Sequence, residues 1–248
     1  MTARKRPPWL PPRIAPMPAP MRWRGGGRCG GRPVPDIAAR LRLILPPGVG
    51  LASADAPQPL WPGEDLPGAT PARLAEFATG RTAARQALQA LGCDPAAIAV
   101  GSDRAPQWPD TVSGSISHCA GACLAVAGFR HDYLGLGLDV EPSAALPADI
   151  WQTVLRPEER HELNALPQPK QGLQALRIFV AKEAAYKAQY PISQKVFDFQ
   201  TLGIIWNGQG FIAAFQQAIP PFEKHFQVVG RMAENPDHFA AICWLPTV

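Results

Sequence analysis

The sequence predicts an α+β fold in which helices pack on one side of mostly antiparallel strands. Three observations predict it. Two stretches, near residues 70–92 and 157–191, carry apolar residues at helical spacing. The segments between and after them alternate in short strand-like runs bounded by turn residues. The order of hairpin plus helix, then helix plus strands, also permits two similar halves joined near residue 137, although no sequence repeat is visible.

The first 35 residues stand apart from this pattern. They contain nine prolines, Lys5, seven arginines and no acid, in runs such as PPWLPP and PAPMRWRGGGRCGG. Without apolar periodicity or a continuous apolar run, residues 1–35 are expected to be a disordered, dispensable extension, with Met21 an alternative start. Their prolines and glycines are incompatible with the amphipathic helix of a transit peptide. Subtracting these eight cations from the net charge of +4 leaves −4 for residues 36–248. A mildly acidic body argues against nucleic-acid binding, which needs its cations on the folded surface. No stretch approaches the roughly 20 apolar residues of a membrane span. The five cysteines are odd in number and scattered, without paired CxxC motifs, which reads as a reducing cytoplasm with structural thiols; only Cys119 adjoins a candidate site. A chain of 248 residues buries a core without disulfides.

Order is expected from near Asp36, and the first strong element is ATPARLAEFATGRTAARQALQALG. Thr70 can cap this helix, Pro71 suits its first position and Gly92 ends it, with Leu74, Phe77, Ala84, Leu88 and Leu91 on the buried face. Gly80 costs about 1 kcal/mol relative to Ala and marks either a close approach or a tolerated accident. After the Pro-rich connection DRAPQWPD, SGSISHC and ACLAVAGF read as a hairpin turning at Gly121. In YLGLGLDVE, Leu134, Leu136, Leu138 and Val140 point one way and Gly135, Gly137, Asp139 and Glu141 the other. Helical LRPEERHELNAL and LQALRIFVAKEAAYKAQY follow, separated by a proline-containing break. VFDFQTLGIIW, GFIAAF, HFQVVGRM and HFAAICWL then read as strands.

Several residues on these elements can carry chemistry. Asp139 and Glu141, at i and i+2 on one strand face, can converge within roughly 7 Å on a hard cation, or form the solvated face of an edge strand. The glycines beside them clear space that a solvated face does not require. On the second helix, Leu173, Leu176 and Val180 define an apolar stripe that continues into Glu183 and Lys187. A buried charge is costly unless it is paired or binds a metal, so this pair carries more than an ordinary i, i+4 ion pair. Arg81, Arg85 and Arg104 can clamp phosphate bidentately or be surface arginines. Ser117 and His118 can each bond a phosphate oxygen, and a structural His is the alternative.

Together these segments resemble the 4′-phosphopantetheinyl transferases of the surfactin and enterobactin-synthase component D type, from about Leu41 to Trp244. The matching stretches, in that family's order, are EFATGRTAARQALQALG, VGSDRAPQWP, GSISHCAG, LGLDVEP and FVAKEAAYKAQYP. The most diagnostic pair is G-x-D-x-E (Gly137, Asp139, Glu141) followed by F-x-x-K-E-x-x-x-K (Phe179, Lys182, Glu183, Lys187), with 44 residues from Asp139 to Glu183.

The resemblance implies a pseudo-dimeric fold of two similar α/β halves, residues 36–136 and 137–248, with coenzyme A in the cleft between them. It implies transfer of phosphopantetheine to a serine of an apo acyl or peptidyl carrier protein, in siderophore or other nonribosomal peptide pathways. A non-catalytic coenzyme A or carrier-binding module is the alternative. It implies magnesium on Asp139, Glu141 and Glu183, and Arg81, Arg85, Arg104, Ser117 and His118 facing the nucleotide and its phosphates, with Thr82 a further contact. Lys187 and Lys182 are assigned to phosphate, Lys182 with the alternative of lying exposed. Glu183 is the first choice of base and Glu159 the second, with Glu158 its competitor. The internal two-half arrangement implies a monomer. Val180 departs from the family's small hydroxyl residue after the motif Phe and reads as a packing change.

Overall fold

The computed structural model describes residues 36–208 and 210–247, and the expected extension over residues 1–35 lies outside them. The described chain opens on helix α1, Ile37–Arg42, capped by Asp36, whose Oδ1 accepts the Ala39 amide at 2.6 Å. Strand β1 follows at Val49–Ser53. Neither is visible in the sequence, because such short elements do not complete enough of a period.

Helix α2, Pro71–Leu91, has the ends its sequence predicts. The Thr70 hydroxyl accepts the Arg73 amide at 3.3 Å, Pro71 fills the first turn, and Gly92 closes the helix in the left-handed region at φ 90°. Phe77, Ala84 and Leu88 are buried, but Leu74 is 40% exposed, because the packed face of α2 begins only at Phe77. Gly80 is a packing glycine: a β-carbon there would stand 3.2 Å from Ile116 Cγ2.

Strands β2, Ala99–Val100, and β3, Pro106–Gln107, pair as a small ribbon within the Pro-rich connection. Strands β4, Val112–Cys119, and β5, Ala122–Phe129, form the expected hairpin, with Gly121 at φ 86°. Strand β6 is Tyr133–Pro142. Helices α3, Trp151–Val154, α4, Pro157–Asn164, and α5, Gln168–Ser193, follow. Strands β7, Leu202–Asn207, β8, Gly210–Phe215, β9, Gln227–Glu234, and β10, His238–Pro246, complete the described chain.

Among the described residues the larger sheets are antiparallel, one in the order β1-β5-β4 and one in the order β6-β10-β9-β8-β7. The five-stranded sheet begins at Tyr133, slightly ahead of residue 137. Serines on alternate positions of β4 join it to β6 through side chains. Ser113 Oγ donates to the Tyr133 carbonyl at 2.8 Å, while the Leu138 and Val140 amides donate to Ser115 Oγ at 3.0 Å and Ser117 Oγ at 3.2 Å.

Helix α2 covers one face of the first sheet, burying Ala83, Ala87 and Leu88 against Ala125 and Ala127. On β6, Leu136, Leu138 and Val140 share a core with Leu124 and Val126 of β5 and Leu41 of α1, whereas Leu134 is 42% exposed. The opposite face of β6 receives α5, whose Leu176, Val180 and Ala184 lie in the core above the five-stranded sheet. Leu173 is 37% exposed, so the stripe on α5 packs only from Leu176 onward.

Candidate functional site

The site grows from how closely α5 approaches β6. A β-carbon on Gly137 would lie 1.9 Å from the Ala184 carbonyl oxygen, and one on Gly135 2.0 Å from that of Ala188. The space these glycines clear is therefore filled by helix backbone. The next residue on that strand face, Asp139, is 3% exposed and meets α5 directly. Lys187 Nζ donates to Asp139 Oδ1 at 2.6 Å, Ser117 Oγ donates to the same oxygen at 2.9 Å, and Lys187 Nζ lies 3.3 Å from Ser117 Oγ. Asp139 Oδ2 is buried with no partner among the described residues.

Two further carboxyls share this electrostatic neighbourhood. Burial pushes Glu141 up to about 7, Asp139 and Glu183 adding to the shift and Lys187 opposing it. Burial likewise pushes Glu183 up to about 7, with Asp139 adding and Lys187 opposing. Burial works against the charge on Lys187, but Asp139, Glu183 and Glu141 outweigh it, and the net shift is upward. Three acids thus face one lysine. Among the described residues no three potential ligands are grouped closely enough to hold a metal as they stand. The donor chemistry nevertheless fits a hard divalent cation: carboxylate oxygens, one of them buried and unpartnered, in excess over the single ammonium. Cys119 lies nearby, and burial, then Glu141 and Asp139, push its thiol up to about 12.

A second group lies on α2. His118 Nε2 is 2.9 Å from Arg73 Nη1, and the same nitrogen of Arg73 reaches Glu76 at 3.0 Å. Strand alternation separates the two neighbours on β4, turning Ser117 to Asp139 and His118 to α2. Arg81 stacks its guanidinium on the Phe77 ring at 4.2 Å, makes no hydrogen bond among the described residues and leaves Nε buried without a partner. Burial lowers it to about 10, with Glu64 opposing and Arg73 and Arg85 adding, and it stays charged at neutral pH. Sequence reasoning misses Arg73, although its position eight residues before Arg81 on the same helix is a usable signal.

Four expected contacts are corrected. Arg85 is 3% exposed and bonded to Glu64, donates to the Pro59 carbonyl at 3.2 Å and stacks on Trp61 at 4.8 Å. Because Glu64 also accepts the Trp61 and Ile98 amides at 2.9 and 3.0 Å, Arg85 anchors the segment before α2 and offers no free fork to phosphate. Thr82 ties down the same segment by accepting the Gln58 amide at 2.9 Å. Lys182 is 1% exposed: Nζ donates to Glu159 Oε2 at 2.7 Å and to the Val154 and Phe199 carbonyls at 2.8 and 3.0 Å. Glu159 in turn accepts the Arg156 and Ile204 amides at 2.8 and 2.9 Å. Neither Glu159 nor Lys182 is available to substrate, because each spends its polar atoms on the other and on buried backbone. Glu158 is 68% exposed on its side chain and pairs with Arg156. Val180 is fully buried in the α5 core. Arg104 is exposed, in the turn between β2 and β3, at φ 72°.

Two family models match the chain. The model of the 4′-phosphopantetheinyl transferase N-terminal domain matches residues 61–128, and that of the 4′-phosphopantetheinyl transferase superfamily matches residues 135–243. The chain is 41% identical to 4′-phosphopantetheinyl transferase Svp of Streptomyces mobaraensis over 53% of its own length and 54% of Svp, so it spans about half of that relative. It is 35% identical to 4′-phosphopantetheinyl transferase Npt of Nocardia iowensis over 64% of this chain and 73% of that protein. It is 34% identical to enterobactin synthase component D of Escherichia coli K12 over 63% of this chain and 72% of that one. With both models matched in order across α2 to β10, the chain belongs to the 4′-phosphopantetheinyl transferase superfamily.

Proposed function

We propose that the protein transfers the 4′-phosphopantetheine group of coenzyme A to a serine hydroxyl of an apo acyl or peptidyl carrier protein. The observation that carries this reading is the seam between α5 and β6, where Lys187 and Ser117 bond Asp139 and the Glu141 and Glu183 carboxyls lie within electrostatic reach. In the reaction the serine oxygen forms a bond to the β-phosphorus, the bond from that phosphorus to the bridging oxygen breaks, and adenosine 3′,5′-bisphosphate leaves. Such a displacement needs positioning and charge neutralisation more than covalent help from the protein.

Asp139, Glu141 and Glu183 would hold the magnesium ion, which when bound supplies positive charge to the phosphate oxygens. Glu183 takes the serine proton. Lys187, one turn along the same helix, supplies a cation to the departing phosphates. Ser117 orients Asp139 through its hydrogen bond. Arg81, His118 beside Arg73, and Arg104 offer the donors for the remaining phosphates, while Arg85, Lys182 and Glu159 fall outside this role.

The printed name of the component D relative supports a carrier of siderophore or other nonribosomal peptide synthesis. A cleft between residues 36–136 and 137–248, a monomeric state and a cytoplasmic setting complete the proposal; among the described residues no helix is long and apolar enough to cross a membrane. The test is incubation with magnesium, coenzyme A and an apo carrier, read by mass spectrometry. The expected result is a gain of one phosphopantetheine group per carrier, abolished by Asp139→Ala and by Glu183→Gln with unchanged circular dichroism. Turnover at the unsubstituted rate in either variant overturns the site assignment, and coenzyme A binding without any transfer points to a non-catalytic binder.

A further inference from the structure

The turn at residues 101–105 is closed several times over. The Gly101 amide donates to the Ala105 carbonyl and the Arg104 amide to the Gly101 carbonyl, each at 2.9 Å. Asp103 Oδ1 accepts the Ala105 amide at 3.0 Å, and it lies so close over the turn that a β-carbon on Gly101 would stand 2.5 Å from it. Within this frame Arg104 holds a positive φ that a non-glycine side chain resists. Such strain in an exposed arginine suggests that its placement is used.

The other oxygen of Asp103 leaves the turn. Asp103 Oδ2 accepts the Tyr190 hydroxyl at 3.1 Å, so the turn is tied to α5. On that helix Tyr190 stands seven residues after Glu183 and three after Lys187, on the face that carries both. Tyr186 stacks on Tyr190 at 5.8 Å, between it and Glu183. Burial pushes the Tyr186 phenol up to about 12, with Tyr190, Glu183 and Asp103 adding, so Asp103 reaches this row electrostatically as well. Since the backbone and Oδ1 already close the turn, the Tyr190 bond adds one thing: it sets where the turn stands relative to α5.

We infer that Asp103 and Tyr190 are a positioning pair that fixes Arg104 against the α5 face, so that its guanidinium meets the phosphates of the donor together with Lys187. The inference rests on the transferase reading above. It assigns neither residue a contact with substrate.

The experiment measures coenzyme A binding by calorimetry and steady-state carrier modification on the full chain. Tyr190→Phe removes only the hydroxyl. The Kd and KM for coenzyme A should rise roughly three- to tenfold, the range that the net contribution of one hydrogen bond gives, with kcat within about twofold and an unchanged thermal midpoint. Arg104→Ala should weaken binding further, and Tyr190→Phe should add nothing in the Arg104→Ala background. Asp103→Ala should likewise make Tyr190→Phe silent. A Tyr190→Phe chain that binds coenzyme A like the parent overturns the pairing while leaving the transferase reading intact, as does a full additional loss in the Arg104→Ala background. Failure of the unsubstituted chain to modify any carrier sinks the transferase reading, while binding data still decide the pair; failure to bind coenzyme A sinks both.

Discussion

Replacing Gly137 by Ala tests the packing on which the site depends. The added β-carbon would fall 1.9 Å from the Ala184 carbonyl oxygen and 2.4 Å from the Ala188 amide nitrogen, both backbone atoms of α5. Restoring even a tight separation of 3.0–3.4 Å requires the helix to lift by about 1.1–1.5 Å, since no side-chain rotation relieves a clash with backbone. Overpacking of this kind costs about 1–3 kcal/mol. For a domain of this size that lowers the thermal midpoint by roughly 2–12 °C. Moving rigidly, the helix would carry Lys187 Nζ from 2.6 Å to as much as about 4 Å from Asp139 Oδ1, beyond hydrogen-bond range. A displacement near 1 Å at a reacting centre costs on the order of 100-fold in rate.

Thermal and urea denaturation should therefore show the loss of stability, and carrier modification by the folded variant should be at least tenfold slower. Gly80→Ala is the contrast. Its β-carbon meets only a side-chain methyl, that of Ile116, at 3.2 Å, and helix propensity of about 1 kcal/mol favours Ala, so it should be near neutral. A Gly137→Ala chain that matched the parent in both stability and rate would show that α5 does not rest directly on the glycine strand.

Two further predictions concern charge. Lys182→Met should lower stability by about 3–5 kcal/mol, because it leaves Glu159 charged and uncompensated in the core. Adding Glu159→Gln should recover part of the loss, with the kcat of the folded protein little changed, whereas a selective fall in kcat with normal stability would return Lys182 to the site. For pH, Glu141 and Glu183 titrate near 7 in the native chain, chiefly through burial, and from an ordinary value of 4.5 when unfolded. Between those values the native state holds more protons than the unfolded one, so their contribution to stability is greatest below about 4.5 and is lost as pH rises through about 7. Urea titrations without divalent cations should show this decline, and Glu141→Gln with Glu183→Gln should flatten it; an unchanged slope in the double variant contradicts the assignment.

The periodic and terminal features were legible because they depend on residues only a few positions apart. Thr70, Pro71 and Gly92 bound α2, Gly121 turns the β4–β5 hairpin, and the alternation of YLGLGLDVE places Asp139 on the glycine face of β6. The continuation of an apolar stripe into Glu183 and Lys187 is equally local and points to the candidate site. Elements as short as α1 and β1 carried no such signal.

The order of residues along a helix or strand dictates which faces carry charge; the packing of distant elements dictates what each face meets. Lys182 adjoins Glu183 in the chain, yet the helical turn swings it into the core, where Glu159 and two carbonyls hold it. Arg85 lies one turn from Arg81 but is claimed by Glu64, brought by a segment more than twenty residues away. Ser117 and His118 are neighbours that alternation sends to Asp139 and to Arg73. Spacing along a helix or strand sets a direction at the cost of local backbone geometry alone. Whether a charge so directed ends in a closed ion pair or beside an unpartnered oxygen depends on which distant element packs there, and no local pattern encodes that.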